Sequence, residues 1–208
     1  MRFLALGDSY TSGEGVAEEL CWPVQLTSLL RAREIDLDDP VIVARTAWTT
    51  DELSDAIDAA SPCGPFDLVT LMVGVNDQYR SRDVRSFAGE YEKLLRRAIR
   101  FADDAATRVL AISIPDWGAT PFSEGRDRAL IGREIEAYNA RGAELANQAG
   151  VRWVDVTTVT RAMLHDPTLV ATDKLHPSGE MYRRWAELLA PLAMTALATR
   201  ARGARGAS

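Results

Sequence analysis

The sequence RFLALG at positions 2–7, followed at once by Asp8 and Ser9, sets the pattern for the whole chain. Its apolar residues are nearly continuous, which is typical of a parallel strand that is covered on both faces. Four later runs repeat the pattern, at 40–45, 67–73, 108–114 and 151–156. Short apolar runs that alternate with longer helical ones predict a parallel sheet with helices on both faces, joined by right-handed crossovers.

Helical periodicity fills the intervals between these runs. The segments 83–103 and 125–149 each carry one apolar face, which predicts two long amphipathic helices. The final helix is expected to open directly after His176, with Pro177 in its first turn, where proline is tolerated. Its expected inward-facing residues are Met181, Trp185, Leu188 and Leu192. Shorter helices are expected at about 22–33 and 50–60.

The composition bounds the class of protein. The chain has 208 residues, of which 47% are hydrophobic and 26% charged, and this is typical of a single globular domain. We predict one domain over 1–198 and a flexible, arginine-containing C-terminal tail over 199–208. The net charge of −6 argues against nucleic-acid binding, because such binding needs a basic surface.

Neither a membrane span nor a metal-binding pattern is evident in the sequence. No apolar stretch reaches the ~20 residues that a span needs, and no signal-peptide core precedes the first strand, so we expect a soluble, cytoplasmic protein. Cys21 and Cys63 form neither a CxxC motif nor a zinc-ligand pattern, so two free thiols are expected. The oligomeric state stays open.

Polar residues follow the predicted strands at the points where the strands end. In a parallel sheet, ligands bind outside the carboxyl ends of the strands, so these residues are the candidates for chemistry. The segments are Gly7-Asp8-Ser9 after the first strand, Thr46-Ala47-Trp48-Thr49-Thr50 after the second, Gly74-Val75-Asn76-Asp77 after the third and Asp173-Lys174-Leu175-His176 after the fifth. Together they bring a hydroxyl, an amide, an imidazole and a carboxylate to one edge of the predicted sheet.

This set of side chains suits acyl transfer. A serine hydroxyl is a poor nucleophile until a base takes its proton, and histidine suits that role near neutral pH. We predict Ser9 as the nucleophile, His176 as the general base and then acid, and Asp173 as the carboxylate that orients the imidazole. The side-chain amide of Asn76 and the backbone N–H groups of Ser9 and Ala47 are predicted to donate to the oxyanion.

These motifs resemble those of the SGNH hydrolases, the GDSL-type esterase and lipase family. Gly-Asp-Ser at 7–9, Gly-x-Asn-Asp at 74–77 and Asp-x-x-His at 173–176 match three of the family's four blocks, in the family's order. The resemblance implies a flavodoxin-like, three-layer α/β/α sandwich around a five-stranded parallel sheet of order 2-1-3-4-5. It also implies a carboxylic ester hydrolase with an acyl-serine intermediate, which needs no metal or organic cofactor and takes a small-molecule ester.

The second block departs from the family pattern. The family usually carries a glycine there, whereas this chain has Ala47 at the best-aligned position. An alanine retains the N–H donor if the backbone angles suit a residue with a Cβ. The fine geometry of the oxyanion hole therefore depends on the conformation of Ala47.

Residues near the motifs are given supporting roles. Two aromatic residues lie in the loop after the fourth strand, which is equally consistent with a proline-fixed turn and with a substrate-binding wall. The candidates for the pocket wall are Trp48, Trp117 and Phe122. Asp8, Gly74 and Asp77 are expected to be structural, with the two carboxylates hydrogen-bonded to the loops that hold Ser9 and Asn76.

Several functions stay open at this point. One is ester hydrolysis, a second is acyl transfer or thioester hydrolysis through the same acyl-serine, and a third is a catalytically silent module that binds a carbohydrate or a protein. Because the chain has no extensive lid insertion, small or short-chain acyl groups are favoured. The candidate substrates are O-acetyl carbohydrates, short acyl esters and lysophospholipids.

Overall fold

A computed structural model describes residues 1–203, with side chains described as far as residue 198. Five strands form one parallel sheet in the order β2-β1-β3-β4-β5, which confirms the predicted fold. The strands are β1 (Phe3–Asp8), β2 (Val41–Arg45), β3 (Leu68–Met72), β4 (Val109–Ile112) and β5 (Arg152–Val154).

Helices cover both faces of this sheet. One layer contains α2 and α8, which pack against each other, and the other contains α3, α5 and α6. The α-helices are α1 (Ser9–Ser12), α2 (Trp22–Arg31), α3 (Thr50–Ala60), α4 (Val75–Tyr79), α5 (Val84–Phe101), α6 (Arg128–Gln148), α7 (Thr157–Thr160) and α8 (Gly179–Gly203). Short 3₁₀ turns lie at Glu18–Leu20, Ala106–Arg108, Trp117–Ala119, Pro121–Ser123, Arg161–Leu164 and Pro167–Leu169. Over residues 1–203, no helix combines the length and apolar character that a membrane span requires.

The core lies between the sheet and the two helical layers. Every residue of β1, β3 and β4 is buried, as their continuous apolar sequences predict. The expectation that all five strands are covered on both faces was wrong for β2 and β5. These two strands form the edges of the sheet, and Val41 of β2 is 40% exposed. Edge strands have a neighbour on one side only, so less of their surface is covered.

The last helix begins later than predicted, and only part of its predicted inward face is buried. It starts at Gly179, while Pro177 precedes it and forms an isolated antiparallel bridge with Val170. Met181 and Trp185 are buried as predicted, but the buried stripe continues through Leu189, and Leu188 is 36% exposed. Small inward residues let the helix pack closely on this side: Ala186, Ala190 and Ala193. Leu192 is half-buried at the border of the stripe.

The last helix extends into the segment predicted to be a flexible tail. The helix continues to Gly203, so residues 199–203 of the expected tail are helical. Residues 204–208, the rest of that tail, lie outside the described residues.

Candidate active site

Ser9 lies at the junction between β1 and the single-turn helix α1. Asp8 caps this helix, since its Oδ1 accepts the N–H of Tyr10 at 3.0 Å. Gly13 ends the helix in the left-handed conformation and donates its N–H to the carbonyl of Ser9 at 3.0 Å. As the first residue of a helix, Ser9 has an N–H without an intrahelical acceptor. The junction therefore offers a nearly buried hydroxyl and a backbone donor at the same residue.

The carboxyl group of Asp8 lies fully inside the protein behind Ser9. Its second oxygen, Oδ2, has no hydrogen-bond partner within the described residues. Burial, together with the nearby charge of Asp77, raises the pKa of Asp8 to about 8, against the opposing hydrogen bond from Tyr10. A carboxyl group in such surroundings is predominantly neutral at pH 7.

Asp173 and His176 are fixed relative to each other by a tight turn. Oδ1 of Asp173 accepts the backbone N–H groups of Leu175 and His176, both at 2.9 Å. Lys174 takes φ +67° to allow this turn. The other carboxylate oxygen, Oδ2, is then 2.6 Å from Nδ1 of His176. The spacing of three residues thus lets one carboxylate hold both the backbone and the imidazole.

The imidazole of His176 connects this turn to Ser9. Its Nε2 lies 3.0 Å from Oγ of Ser9, although the two residues are 167 positions apart in sequence. The ring is 6% exposed and packs against Tyr10, with ring centroids 5.0 Å apart. Burial raises the pKa of Asp173, but hydrogen bonds from Leu175 and His176 outweigh it and lower the pKa below its ordinary value. Asp173 is therefore ionised beside the imidazole at neutral pH.

The predicted oxyanion donor Ala47 has an unusual backbone conformation. It is the third residue of a turn in which Trp48 donates its N–H to the carbonyl of Arg45 at 3.3 Å. Its φ is +69°, the left-handed region in which glycine is favoured. An alanine there costs about 1–2 kcal/mol. The glycine that is usual at this position in the SGNH family suits the same backbone geometry.

Asn76 sits in the first turn of α4, beside the Ala47 turn. Its Nδ2 donates to the carbonyl of Trp48 at 2.9 Å, which leaves one of its two amide hydrogens free to donate elsewhere. Gly74 precedes α4 with φ +130°. A Cβ at Gly74 would lie 2.6 Å from the ring of Phe87, so this position requires glycine.

Of the two carboxylates predicted to be structural, Asp8 holds the predicted segment and Asp77 holds a different one. Asp8 caps the helix of Ser9, as described above. Asp77 instead binds Thr50, accepting its N–H at 3.0 Å and its hydroxyl at 2.8 Å. It therefore fastens the loop of Ala47 to α4 rather than bonding to the loop of Asn76. Burial raises the pKa of Asp77, while Thr50 and Arg82 lower it by a smaller amount.

These groups line one cleft of about 190 Å³. Polar and backbone groups at its floor come from Ser9, Ala47, Asn76 and His176. One wall is a cluster of three aromatic rings, Tyr79, Trp117 and Phe122, whose centroids are 5.5–6.3 Å apart. Trp117 is held by Gln78, which accepts its indole N–H at 2.7 Å. Trp48 does not line the cleft; its side chain is half-buried against the core.

Comparisons with known proteins identify the family of this chain. The model of the GDSL-like lipase/acylhydrolase family matches residues 5–184. The chain belongs to this family. It is accordingly a hydrolase of ester bonds. No curated protein matches the sequence.

Several solved structures share the fold of this GDSL-like hydrolase at low sequence identity. TesA is 20% identical with a TM-score of 0.74, and the match covers 95% of this chain and 100% of TesA. The psychrotrophic esterase EstA from Pseudoalteromonas sp. is 16% identical with a TM-score of 0.67, covering 90% and 93%. A mutant of Axe2, an acetyl-xylooligosaccharide esterase from Geobacillus, is 22% identical with a TM-score of 0.64, covering 94% and 93%.

Two residues of the hydrolase site were missed in the sequence. Tyr79 completes the aromatic wall, and Arg80 binds the loop of Ala47. Tyr79 is three residues after Asn76, a spacing that puts both on one helical face, so periodicity in α4 gave a usable signal. No sequence pattern pointed to Arg80.

Among residues 1–203, no group of three or more His, Cys, Asp or Glu side chains is arranged to hold a metal ion.

Proposed function

We propose that this hydrolase is a serine esterase in which Ser9, His176 and Asp173 form the catalytic triad. The observation that carries the proposal is the unbroken series of contacts between these side chains. Asp173 Oδ2 lies 2.6 Å from His176 Nδ1, and His176 Nε2 lies 3.0 Å from Ser9 Oγ. Both distances are those of hydrogen bonds, and the order is the one that activates a serine.

The reaction begins when Ser9 Oγ attacks the ester carbonyl and its proton passes to His176 Nε2. Asp173 stabilises the resulting imidazolium. The carbonyl oxygen becomes an oxyanion, for which the donors are the N–H groups of Ser9 and Ala47 and the amide of Asn76. His176 then gives the proton to the departing alcohol, which leaves an acyl-serine. Water attacks the acyl group through the same base, and Ser9 is regenerated.

The substrate that we propose is an ester with a small or short-chain acyl group. The cleft of about 190 Å³ is smaller than the roughly 300–1,000 Å³ of sites for drug-sized ligands. Its walls are mainly aromatic, which suits an apolar acyl group beside a polar floor. An O-acetyl carbohydrate or a short acyl ester fits these dimensions better than a lysophospholipid. One structural neighbour is named as an acetyl-xylooligosaccharide esterase, which makes acetylated sugars a reasonable first trial.

Acyl transfer and thioester hydrolysis use the same intermediate, and they are the second candidate functions. Three of the residues that line the cleft, Thr46, Ala47 and Phe122, are exposed, so an acceptor other than water can reach the acyl-serine from solvent. Raising the concentration of an acceptor alcohol distinguishes the two outcomes. A transferase produces the new ester at the expense of free acid, whereas a hydrolase continues to release acid.

The proposal is tested by the substitution Ser9→Ala with p-nitrophenyl acetate as the substrate. We expect turnover to fall at least about 10⁴-fold while the circular dichroism spectrum is unchanged, since the triad loses its nucleophile. A fluorophosphonate should label the wild-type protein once, at Ser9, as found by peptide mass spectrometry. The choice of reagent is supported by EstA, whose structure is of a form inhibited by monoethylphosphonate.

The matched control is Ser28→Ala, since Ser28 is an exposed serine on α2. It should retain wild-type turnover and labelling. Retention of more than a few per cent of activity in Ser9→Ala, or a label at another residue, would refute the assignment of the nucleophile.

A further inference from the structure

The left-handed backbone conformation of Ala47 requires a stabilising interaction from the surrounding structure. Alanine at φ +69° stores strain that a rotation of the neighbouring peptides would release. Such a rotation would turn the Ala47 N–H away from the cleft. Within the part of the chain that the structure describes, that N–H has no hydrogen-bond partner of its own to prevent this. The restraint must therefore act elsewhere in the turn.

Arg80, the residue directly after α4, supplies such a restraint. Its Nη2 donates to the carbonyl of Ala47 at 2.7 Å. Its Nη1 lies 3.3 Å from Oε1 of Glu52 in α3. The other oxygen of Glu52 accepts the N–H of Thr49 at 2.9 Å. The guanidinium of Arg80 thus links the carbonyl of Ala47 to the carboxylate of Glu52, which is part of the N-terminal cap of α3.

Asn76 holds the next carbonyl along the chain. Its amide donates to the carbonyl of Trp48, and its own carbonyl accepts the N–H of Arg80 at 3.0 Å. Two successive carbonyls of the turn are therefore bound from α4 and its C-terminal residue. Because these two hydrogen bonds fix the carbonyls, they restrict movement of the Ala47–Trp48 peptide and so of the Ala47 Cα that carries the N–H, and the bond from Arg80 is charge-assisted.

We propose that Arg80 is a positioning residue for catalysis, which maintains Ala47 as an oxyanion donor in the absence of the usual glycine. The inference rests on the proposed function, because it assumes an oxyanion formed at Ser9. It assigns to Arg80 an effect on the transition state rather than on substrate binding, since the oxyanion exists only during the reaction.

The test compares Arg80→Gln with Arg80→Lys on p-nitrophenyl acetate. We expect Arg80→Gln to lower kcat by about 10- to 100-fold with KM within twofold, somewhat less than the loss of a whole oxyanion donor. Lysine carries a single donor group at similar reach, so Arg80→Lys should recover part of the loss. The inhibition constant of a trifluoromethyl ketone, which forms an oxyanion on the serine, should weaken in proportion to kcat.

A second substitution separates positioning from a general loss of stability. Glycine adopts positive φ without strain, so Ala47→Gly should make the turn less dependent on Arg80. We expect Arg80→Gln to cost no more than about threefold in kcat when Ala47→Gly is already present. The matched control is Arg97→Gln, because Arg97 also binds α3, at the carbonyl of Ser54, but does not touch the turn. It should leave kcat unchanged.

Three results would overturn the role of Arg80. They are an unchanged kcat in Arg80→Gln, an equal loss with and without Ala47→Gly, and an equal loss in Arg97→Gln. Failure of the proposed function looks different, because in that case Ser9→Ala retains activity. If Ser9→Ala is inactive and Arg80→Gln is not impaired, the triad stands and only the positioning role fails.

Discussion

Two kinds of residue at the site are held in conformations or protonation states that they would not adopt alone. Ala47, a proposed oxyanion donor, and Lys174, which lies between Asp173 and His176, both have positive φ. Asp8 and Asp77 are fully buried carboxyl groups with raised pKa values. The fold stabilises these states through specific neighbours, so part of its free energy of folding maintains the site.

Asp8 makes the stability of the protein depend on pH. The folded chain binds its proton up to about pH 8, while an unfolded chain releases it near 3.8. Between these values the folded state holds more protons, so the contribution of Asp8 to stability falls as the pH rises. We expect Asp8→Asn to increase the free energy of unfolding relative to wild type progressively between pH 5 and 8, by up to ~1.4 kcal/mol per pH unit.

Urea denaturation at pH 5, 6, 7 and 8 checks this prediction. Asparagine keeps the oxygen that accepts the N–H of Tyr10, so the helix cap survives the substitution. Asp55→Asn, at an exposed position on α3, is the control and should show no such divergence. A difference between Asp8→Asn and wild type that is constant over this range would show that Asp8 is ionised in the folded protein.

At the scale of elements, two of the motifs occupy a junction between a strand and a very short helix. Ser9 opens α1 after β1, and Asn76 lies in α4 after β3. The third motif is a turn that precedes α8. Longer helices then back these junctions. Phe87 of α5 packs against Gly74, which leaves no room for a larger residue there.

The start of α5 should contribute to stability without affecting the chemistry. Asp83 caps this helix, since its Oδ1 accepts the N–H of Arg85 at 2.7 Å. We expect Asp83→Ala to lower the free energy of unfolding by about 1 kcal/mol, because a terminal N–H loses its acceptor. Asp83→Asn keeps an acceptor and should lose much less. Thermal unfolding measures both, and kcat/KM should be unchanged; a large loss of activity would mean that α5 moves when its cap is removed.

At the scale of the whole molecule, the strand order decides which motifs meet. β1 and β3 are neighbours in the sheet, so Ser9 and Asn76 emerge side by side although 66 residues of sequence lie between them. The loop after β4 closes the cleft with Trp117 and Phe122. A backbone bond from Phe122 N–H to the carbonyl of Lys174, 2.9 Å long, joins this wall to the turn of His176.

The aromatic wall should limit the length of the acyl group. Phe122 is 37% exposed, so its ring can be removed without opening the core. We expect Phe122→Ala to raise kcat/KM for p-nitrophenyl octanoate relative to the acetate by about 10-fold, since the cleft gains room along its apolar side. The control Leu130→Ala removes an exposed apolar side chain from α6 that does not line the cleft. An unchanged ratio for Phe122→Ala would place the acyl group elsewhere.

The sequence by itself determined the five strands, the parallel class of the sheet and the motifs that lie at the ends of the strands. These follow from patterns that span only a few neighbouring residues, such as continuous apolar runs and the Asp-x-x-His spacing. Where such a local pattern was insufficient, the prediction failed. In α8, Met181 and Trp185 face the core as predicted, but the prediction was wrong at Leu188, because Leu189 and small alanines face the core there instead.

Only the tertiary structure decided how Ala47 is held and which aromatic residues face the cleft. The guanidinium of Arg80 reaches the carbonyl of Ala47 across 33 positions of sequence, and Trp48 turns to the core while Tyr79 takes its place in the wall. The physical reason is that such contacts depend on how close the packed elements lie. The local sequence determines each turn, but α4 comes close to the loop after β2 only when the sheet has formed.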